Sequence, residues 1–382
     1  MSIQRKLSVA GSIYAQAGMI RLYGEERYSM KKILKYIGIV VAVIVIVAVV
    51  GIGILTVTEY KPDDTEAVAV TGESSGTVSV GDSLSILTWN IGYGALGANA
   101  DFFMDGGEHV STATKEQTED NMAAISSLIS DTDPDIVMLQ EVDTDSKRSH
   151  YINESDYLMS ALTGYESTFA YNYKVLYVPY PLPTIGKVNC GINTLSKFDV
   201  TESTRLSLPC PFTYPIRICN LKRCVMVDRI PLEGSDKELV IVNLHLEAYD
   251  SGEGKAAQTA MLKEILETEA EAGNYVIAGG DFNQSFSNVD TSAYPLVSED
   301  MWQAGQIDVD EFDNLTFVTD NSTPTCRSLD KPYEGADPDN FQYYMIDGFI
   351  VSDNIQVDEV STIDTKFENT DHNPVQMKFT LK

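Results

Sequence analysis

Asn274-Tyr-Val-Ile-Ala-Gly-Gly-Asp-Phe-Asn283 decides how the rest of the chain is read. Tyr275–Ala278 is a short apolar run, the composition of a buried strand. Gly279 and Gly280 are expected to end it, with Asp281 and Asn283 just beyond. On an extended chain residues two apart point to the same side, so an acid and an amide would be aimed together from the strand end. Such a pair can hold a phosphate, a water or a metal ion. Gly-Asp-x-Asn also occurs in plain turns, so its weight depends on how many other strands finish the same way.

Working outward, several do. Leu84–Trp89 reads as a strand finishing at Asn90, Ile136–Leu139 as one finishing at Gln140-Glu141, and Leu239–Leu244 as one closing at His245. Gly348–Val351 begins just after Asp347, and Val375–Leu381 just after Asp371-His372. Cys190–Lys197 is a further strand, without such a terminus, inside a Pro- and Tyr-rich region. Between the strands lie helical signals. Thr114-Lys-Glu-Gln117 is a capping-box pattern followed by the stripe Met122, Ile125, Ile129. Ala257, Met261, Leu262, Ile265 and Leu266 form an amphipathic helix leading into Tyr275. The alternation predicts an α/β domain over Ser83–Lys382, with no repeat or second composition break. Polar groups buried at strand ends without partners cost a few kcal/mol each, roughly. Converging ends would let the groups satisfy one another and a cation, which is the case for an active site.

The N-terminal part differs. Tyr36–Thr58 is an uncharged Ile/Val-rich run long enough to span a bilayer. Lys31, Lys32 and Lys35 precede it, and Glu59, Asp63, Asp64 and Glu66 follow. The positive-inside rule then places residues 1–35 in the cytoplasm and the rest outside, as a single-pass protein of the cell membrane. The length of the run and the distance to Ala67-Val68-Ala69 argue against a cleaved signal peptide. Met30-Lys31-Lys32 offers an alternative start for a signal anchor. Residues 59–82 are polar, without periodicity, and are expected to be a flexible extracytoplasmic linker.

The formal charge of the 382 residues is −29, from 27 Lys/Arg against 56 Asp/Glu. Residues 1–35 hold seven of the basic and two of the acidic groups, so the remainder carries 20 against 54, a net of −34. That surface repels polyanions and disfavours a sequence-independent grip on nucleic acid, while acids at a site still recruit a metal. The five cysteines lack a paired Cys-x-x-Cys spacing, which excludes a zinc site. Cys210, Cys219 and Cys224 are close enough in sequence for one local disulfide. Asp308–Asp313 lacks the glycine and terminal Glu of a calcium loop in register and is expected to be a solvated acidic turn.

Seven segments resemble, in order, the endonuclease/exonuclease/phosphatase superfamily of deoxyribonucleases, abasic-site endonucleases, inositol polyphosphate 5-phosphatases and neutral sphingomyelinases. They are Thr88-Trp-Asn90, Leu139-Gln-Glu141, Gly191-Ile-Asn-Thr-Leu-Ser-Lys-Phe198, Asn243-Leu-His245, Gly280-Asp-Phe-Asn283, Ile346-Asp347-Gly-Phe-Ile350 and Asp371-His-Asn-Pro374. The resemblance implies a four-layer α/β sandwich, two packed mixed sheets flanked by helices. It further implies a divalent ion, Mg²⁺ with Mn²⁺ or Ca²⁺ as alternatives, on Glu141 with Asn90 and Asp371. His372, oriented by Asp347, would be the general base, and Asp281 would position water. Asn283 and His245 would donate to phosphoryl oxygens. His109 and His150 receive no role.

The resemblance is less specific about substrate. Met345-Ile-Asp347-Gly stands where 5-phosphatases carry Trp-Cys-Asp-Arg, and no Lys/Arg-rich run marks a nuclease groove. Asn243-Leu-His-Leu-Glu-Ala248 is similar to the Asn-x-His-x-Gln-Ala of sphingomyelinases. A phosphodiester of a lipid head group or a small organic phosphate is the expected substrate, with nuclease and silent binding domain as alternatives. The bilayer is the expected partner through Tyr36–Thr58, with no protein partner inferred. Phe102-Phe103-Met104 is expected to pack into the core.

Overall fold

The computed structural model describes residues 3–250 and 252–382. The chain divides into a helical unit ending at Thr58 and a second unit, Glu59–Lys382. The first is one helix, Ile3–Val57. Among the described residues, its stretch from Tyr14 to Val57 is the one helix long and apolar enough to cross a membrane.

The second unit is built on two large sheets. In the first, the strands run in the order Thr65–Ala67, Glu202–Ser207, Cys224–Glu233, Glu238–His245, Tyr275–Asp281, Asp347–Ser352 and Leu315–Val318, with Val78–Ser79 also paired to Cys224–Glu233. In the second, the order is Ile355–Thr362, Val375–Leu381, Ser83–Asn90, Ile136–Asp143, Gly186–Ser196, Glu166–Val178 and Val70–Gly72. Each sheet has a parallel pair at its centre: Glu238–His245 with Tyr275–Asp281, and Ser83–Asn90 with Ile136–Asp143.

The period-two alternation of strand side chains explains the layering. Ile86 and Met138 of the second sheet pack with Ile277 and Phe349 of the first. Their neighbours Leu87, Trp89 and Val137 face the other way, onto Met122, Ile125 and Ile129 of helix Lys115–Thr132. In the first sheet, Val276 and Ala278 turn out onto Leu262 and Leu266 of helix Glu253–Glu271. The result is helix, sheet, sheet, helix, the four-layer α/β sandwich. Each such fully buried side chain contributes roughly 1.5–3 kcal/mol. The capping box at Thr114 and Gln117 is formed, both reciprocal hydrogen bonds included.

Three expectations are corrected. Residues 59–82 are not a flexible linker: Thr65–Ala67 pairs with Glu202–Ser207, Val70–Gly72 with Glu166–Val178, and Val78–Ser79 with Cys224–Glu233. All three have only two or three residues, and Thr65–Ala67 and Val70–Gly72 stay largely exposed while Val78 alone is buried, so they carry no apolar alternation to read. The strand of the opening motif does not stop at its glycines but runs to Asp281. Gly279 is needed because a Cβ there would lie 2.4 Å from Met138 Cε of the facing sheet, and one on Gly280 would lie 1.9 Å from Leu244 O. Cys210, Cys219 and Cys224 form no disulfide. Cys224 sits on a strand with its buried thiol toward Tyr171, while Cys210 is exposed. Asp308–Asp313 is the solvated turn expected, with Asp308 capping Val309–Glu311.

One buried acid bridges the sheets. Thr168 Oγ1 of the second donates to Asp228 Oδ2 of the first at 3.1 Å. Burial pushes the Asp228 carboxyl up to about 6, against the lowering effect of nearby hydroxyls. Its folded pKa lies above the unfolded one, so its contribution to stability is full below about pH 4 and is lost as pH rises through about 6. Asp228→Asn is therefore expected to stabilise the protein at about pH 7.5, by on the order of 2 kcal/mol, and to change little near pH 4. Denaturant unfolding at the two pH values measures this; a variant weakened at the higher pH would mean that the hydroxyls already compensate the charge.

Candidate active site

The site is made by strand register. His245 pairs with Asp281 across the parallel strands, and Asp281 with Asp347 across the next pair. In the second sheet Asn90 lies opposite Gln140, with Glu141 next in the chain. The strand Val375–Leu381 pairs with Ser83–Asn90 in a register that puts Val375 opposite Thr88. Asp371 and His372, just before it, therefore arrive beside Asn90. Thr370 Oγ1 donates to Asn90 O at 3.1 Å and Trp89 Nε1 to His372 O at 2.9 Å, fixing that approach. Below the convergence, Gln140 Nε2 donates to Asn243 Oδ1 at 2.9 Å and Asn243 Nδ2 to Asn193 O at 3.1 Å, pinning the two sheets together.

Side chains from both sheets then meet. Asn90 Nδ2 donates to Asp281 Oδ2 at 3.0 Å and approaches Glu141 Oε1 at 3.4 Å. His245 Nε2 is 3.3 Å from Asp281 Oδ2 and 4.0 Å from Glu141 Oε1. His372 Nδ1 bonds Asp347 Oδ2 at 2.9 Å, and its Nε2 faces Asp281 Oδ2 at 3.8 Å. Asp281 Oδ1 accepts from Asn283 N at 2.9 Å. Asn283 is left-handed, φ 51°, so the two residues are not on one extended strand as the spacing suggested; its Nδ2 donates to Leu246 O at 3.0 Å. Glu141 has φ 55° at an irregularity between Leu139 and Val142, where one extra residue turns its carboxylate toward the other ends.

Burial sets the protonation. His245 is pushed well below the usual imidazole range, first by desolvation and then by the cations Arg223, His372 and Arg148. His372 is also desolvated, but Asp347 outweighs this and holds its pKa well above the ordinary value. Desolvation, with the neighbouring Asp347 charge, pushes Asp281 up to about 7, and desolvation raises Asp371. Burial thus favours the neutral form of His245, while Asp347 and Cys326 favour the protonated form of His372.

Among the described residues, Asp281, Asp347 and His372 bring one ligand atom each within 4.8 Å of one another. His372 Nδ1 is already committed to Asp347, which makes that trio a poor cage for a hard cation. The carboxylates of Glu141 and Asp371 suit Mg²⁺ better, being oxygen donors with room for retained water. Asp347 Oδ1, buried and without a partner, shows that the site still lacks positive charge or donors. Asn90 fits its expected role less directly, because Oδ1 accepts from Gly92 N at 3.0 Å and the nitrogen faces Glu141.

Sequence reasoning missed several participants. Arg148 grips Asp143 through Nε and Nη2, both at 3.0 Å, and lies over the Tyr93 ring at 3.6 Å. Its charge reaches His245, so it supplies a cation beside the site. Thr325 Oγ1 accepts from Asp347 N at 3.2 Å and holds the carboxylate's backbone. Tyr93 is buried at φ 43°. Arg148 stands in a turn with no spacing rule to single it out; Asp143, two residues after Glu141, was the available hint. His109 and His150 lie outside the cluster, bonded to Asp101 and to Ala113 O. Phe102 packs partly on a core cluster, but Met104 is exposed, so the expected core role holds for the first alone.

Glu141→Gln keeps the shape and removes the charge. It is expected to weaken Mg²⁺ binding by roughly tenfold or more in calorimetry while leaving the thermal midpoint within a few degrees. Unchanged affinity would move the cation to the Asp281, Asp347 and His372 trio.

Residues 87–330 match the model of the Endonuclease/Exonuclease/phosphatase family. A comparison with curated proteins yields no match. Among solved structures, the chain is similar to an endonuclease/exonuclease/phosphatase from Beutenbergia cavernae, at 18% identity, covering 78% of this chain and 72% of that one, with a TM-score of 0.54. The human Nocturnin catalytic domain with bound sulfate anion is 19% identical, over 82% of this chain and 98% of that one, at 0.48. D. rerio TDP2 complexed with single strand DNA product is 16% identical, over 78% and 99%, at 0.47. With its matched residues spanning most of the sandwich and including Asn90, Glu141, His245 and Asp281, the chain belongs to the Endonuclease/Exonuclease/phosphatase family.

Proposed function

We propose that this chain is a membrane-anchored, extracytoplasmic, Mg²⁺-dependent phosphodiesterase that attacks its substrate with water in line with the leaving oxygen. The observation that carries this is the buried Asp347–His372 pair, 2.9 Å, with His372 Nε2 directed at Asp281. After releasing its proton to solvent, His372 takes one from the attacking water at Nε2, while Asp347 holds Nδ1–H and favours the imidazolium that forms. Asp281 accepts a hydrogen bond from the same water and so aims its lone pair. Neutral His245 offers one N–H, and Asn283 its remaining amide hydrogen, to phosphoryl oxygens as charge grows on them. Arg148 adds positive potential on the His245 side. Glu141 and Asp371, with Asn90, would hold the Mg²⁺, which when bound supplies Lewis-acid neutralisation of the phosphoryl charge. Mn²⁺ or Ca²⁺ would bind the same oxygens.

The anchored topology is supported by the apolar helix and by Lys31, Lys32 and Lys35 before it. The acidic charge of the remainder favours a lipid head group or small organic phosphate over a nucleic acid.

The test is hydrolysis by the full chain with Mg²⁺ or EDTA, on bis-p-nitrophenyl phosphate, p-nitrophenyl phosphate, sphingomyelin and DNA, beside an Asp281→Ala control. Metal-dependent diester cleavage ranking above the monoester is expected. Preference for DNA would make the protein a nuclease, and a folded chain inert on all four would favour a silent binding domain. His372→Ala is expected to lower kcat by about 10²–10⁴-fold; unchanged turnover would remove His372 as the base. The base works deprotonated, so the rate rises as pH passes through the His372 pKa, which Asp347 holds high. Asp347→Asn should therefore move the acidic limb of the pH–rate profile to lower pH while kcat falls. A limb that stays in place would belong to another group.

A further inference from the structure

The chain passes from the apolar helix through Thr58 directly into Glu59, the first residue of the second unit. Glu59 is not solvated. Its side chain is 2% exposed and is held by Arg217 Nε at 2.9 Å, with Lys222 Nζ at 3.6 Å. Lys174 lies over the adjacent Tyr60 ring at 5.7 Å. Glu59 and Tyr60 are thus integral parts of the second unit.

Around these two residues exposed charged groups, Lys61 and Arg217 among them, stand beside apolar ones. Beside Arg217, Ile216 is 63% exposed. The same segment reaches the hairpin Glu166–Val178/Gly186–Ser196: Tyr173 OH donates to Cys219 O at 3.2 Å, and Cys219 Sγ approaches Tyr177 O at 3.8 Å. At the hairpin tip, Leu176 and Tyr177 are exposed, Tyr180 is 72% and Leu182 85% exposed. Pro179, Pro181 and Pro183 alternate with them and fix φ, so the tip presents its side chains from a stiff backbone. The Tyr180 ring meets Phe103 at 6.3 Å, next to exposed Met104. Two residues on, Asp105 accepts from Tyr249 OH at 2.9 Å, and the charges of Asp371 and Glu141 reach both side chains. Exposed apolar and aromatic groups therefore stand at Ile216, along the hairpin tip and, beside the Tyr180–Phe103 ring contact, at Met104. Clustered exposed apolar groups mark an interaction face, and Tyr with aliphatic neighbours suits the interface of a bilayer.

Resting on the reading of the N-terminal helix as a membrane anchor, we infer that this face, from Ile216 across the Leu176–Leu182 hairpin tip to Phe103 and Met104, docks on the lipid bilayer. Docked in this way, the body presents the opening of its site to phosphoester head groups in the plane of the same membrane. The domain needs no soluble substrate to diffuse to it.

The experiment uses the full chain in phosphatidylcholine vesicles carrying brominated acyl chains. Leu182→Trp, with Tyr180→Trp as a second probe, is compared with Val80→Trp, an exposed site in the turn between Val78–Ser79 and Ser83–Asn90. The native Trp89 and Trp302 emission is subtracted. The expected result is a blue-shifted added emission that brominated lipid quenches at Leu182 and Tyr180 but not at Val80. A chain that floats with the vesicles yet shows no more quenching at the hairpin than at Val80 overturns the docking face and leaves the anchor standing. A blue shift without quenching means that protein covers the face, and also overturns it. A chain that fails to float with vesicles overturns the anchor reading and the docking face with it.

Discussion

The seam between the two sheets is the constraint on which the rest depends. Met138 of one sheet seats on Gly279 of the other, where a methyl group would already be too close, and Phe349 closes the same spot. With Met138 and the Phe349 ring filling the seam there, the strand ends further on come within hydrogen-bonding distance. Asn90 then reaches Asp281 at 3.0 Å across the seam. A Cβ at 279 would force Met138 Cε and the Phe349 ring to shift, beneath the strand ends that carry the site. Core packing and site geometry are here one requirement.

The same closeness buries charge. Asp281, Asp347 and Asp371 are each nearly solvent-free. Against them stand His372 and, beside Asp371, the buried Arg327. Desolvation is the first reason that Asp281 and Asp371 hold their protons more tightly than free acids do, with Asp347 adding to it at Asp281 and Glu141 at Asp371. A divalent cation would relieve this repulsion and favour the ionised forms that the chemistry uses. The site is therefore poised to gain more from a metal than a neutral cleft would, and the acidic surface around it attracts the ion.

What could be read in advance follows from how each signal is encoded. Asn90, His245 and Asp281 finish apolar strands, so the change from buried run to polar residue marked them, and parallel pairing guaranteed that such ends share one side of a sheet. Asp347 begins its strand and His372 precedes its own, and both could be found the same way, because those strands run antiparallel to Tyr275–Asp281 and Ser83–Asn90. The resemblance supplied the roles and the four-layer architecture. Left-handed Asn283 and the irregularity at Glu141 were not legible, since both depend on backbone conformations that neighbouring strands impose. Arg148 was invisible because its partners, Asp143 and Tyr93, come together through the turn and the fold rather than by spacing.

Residues 59–82 show the opposite failure, a polar segment taken for a tether because polarity is all that an edge strand reveals. Thr65–Ala67 covers one outer edge of the first sheet and Val70–Gly72 one of the second. Unpaired edges present free N–H and C=O groups to any passing strand, and a short polar strand is an effective way to close them. A body cut at Ser83 would expose both edges, lose the Val78–Ser79 pairing and leave Arg217 and Lys222 without the Glu59 carboxylate. The segment that joins the apolar helix to the sandwich is thus part of the sandwich, and the catalytic body begins at Glu59 on physical grounds.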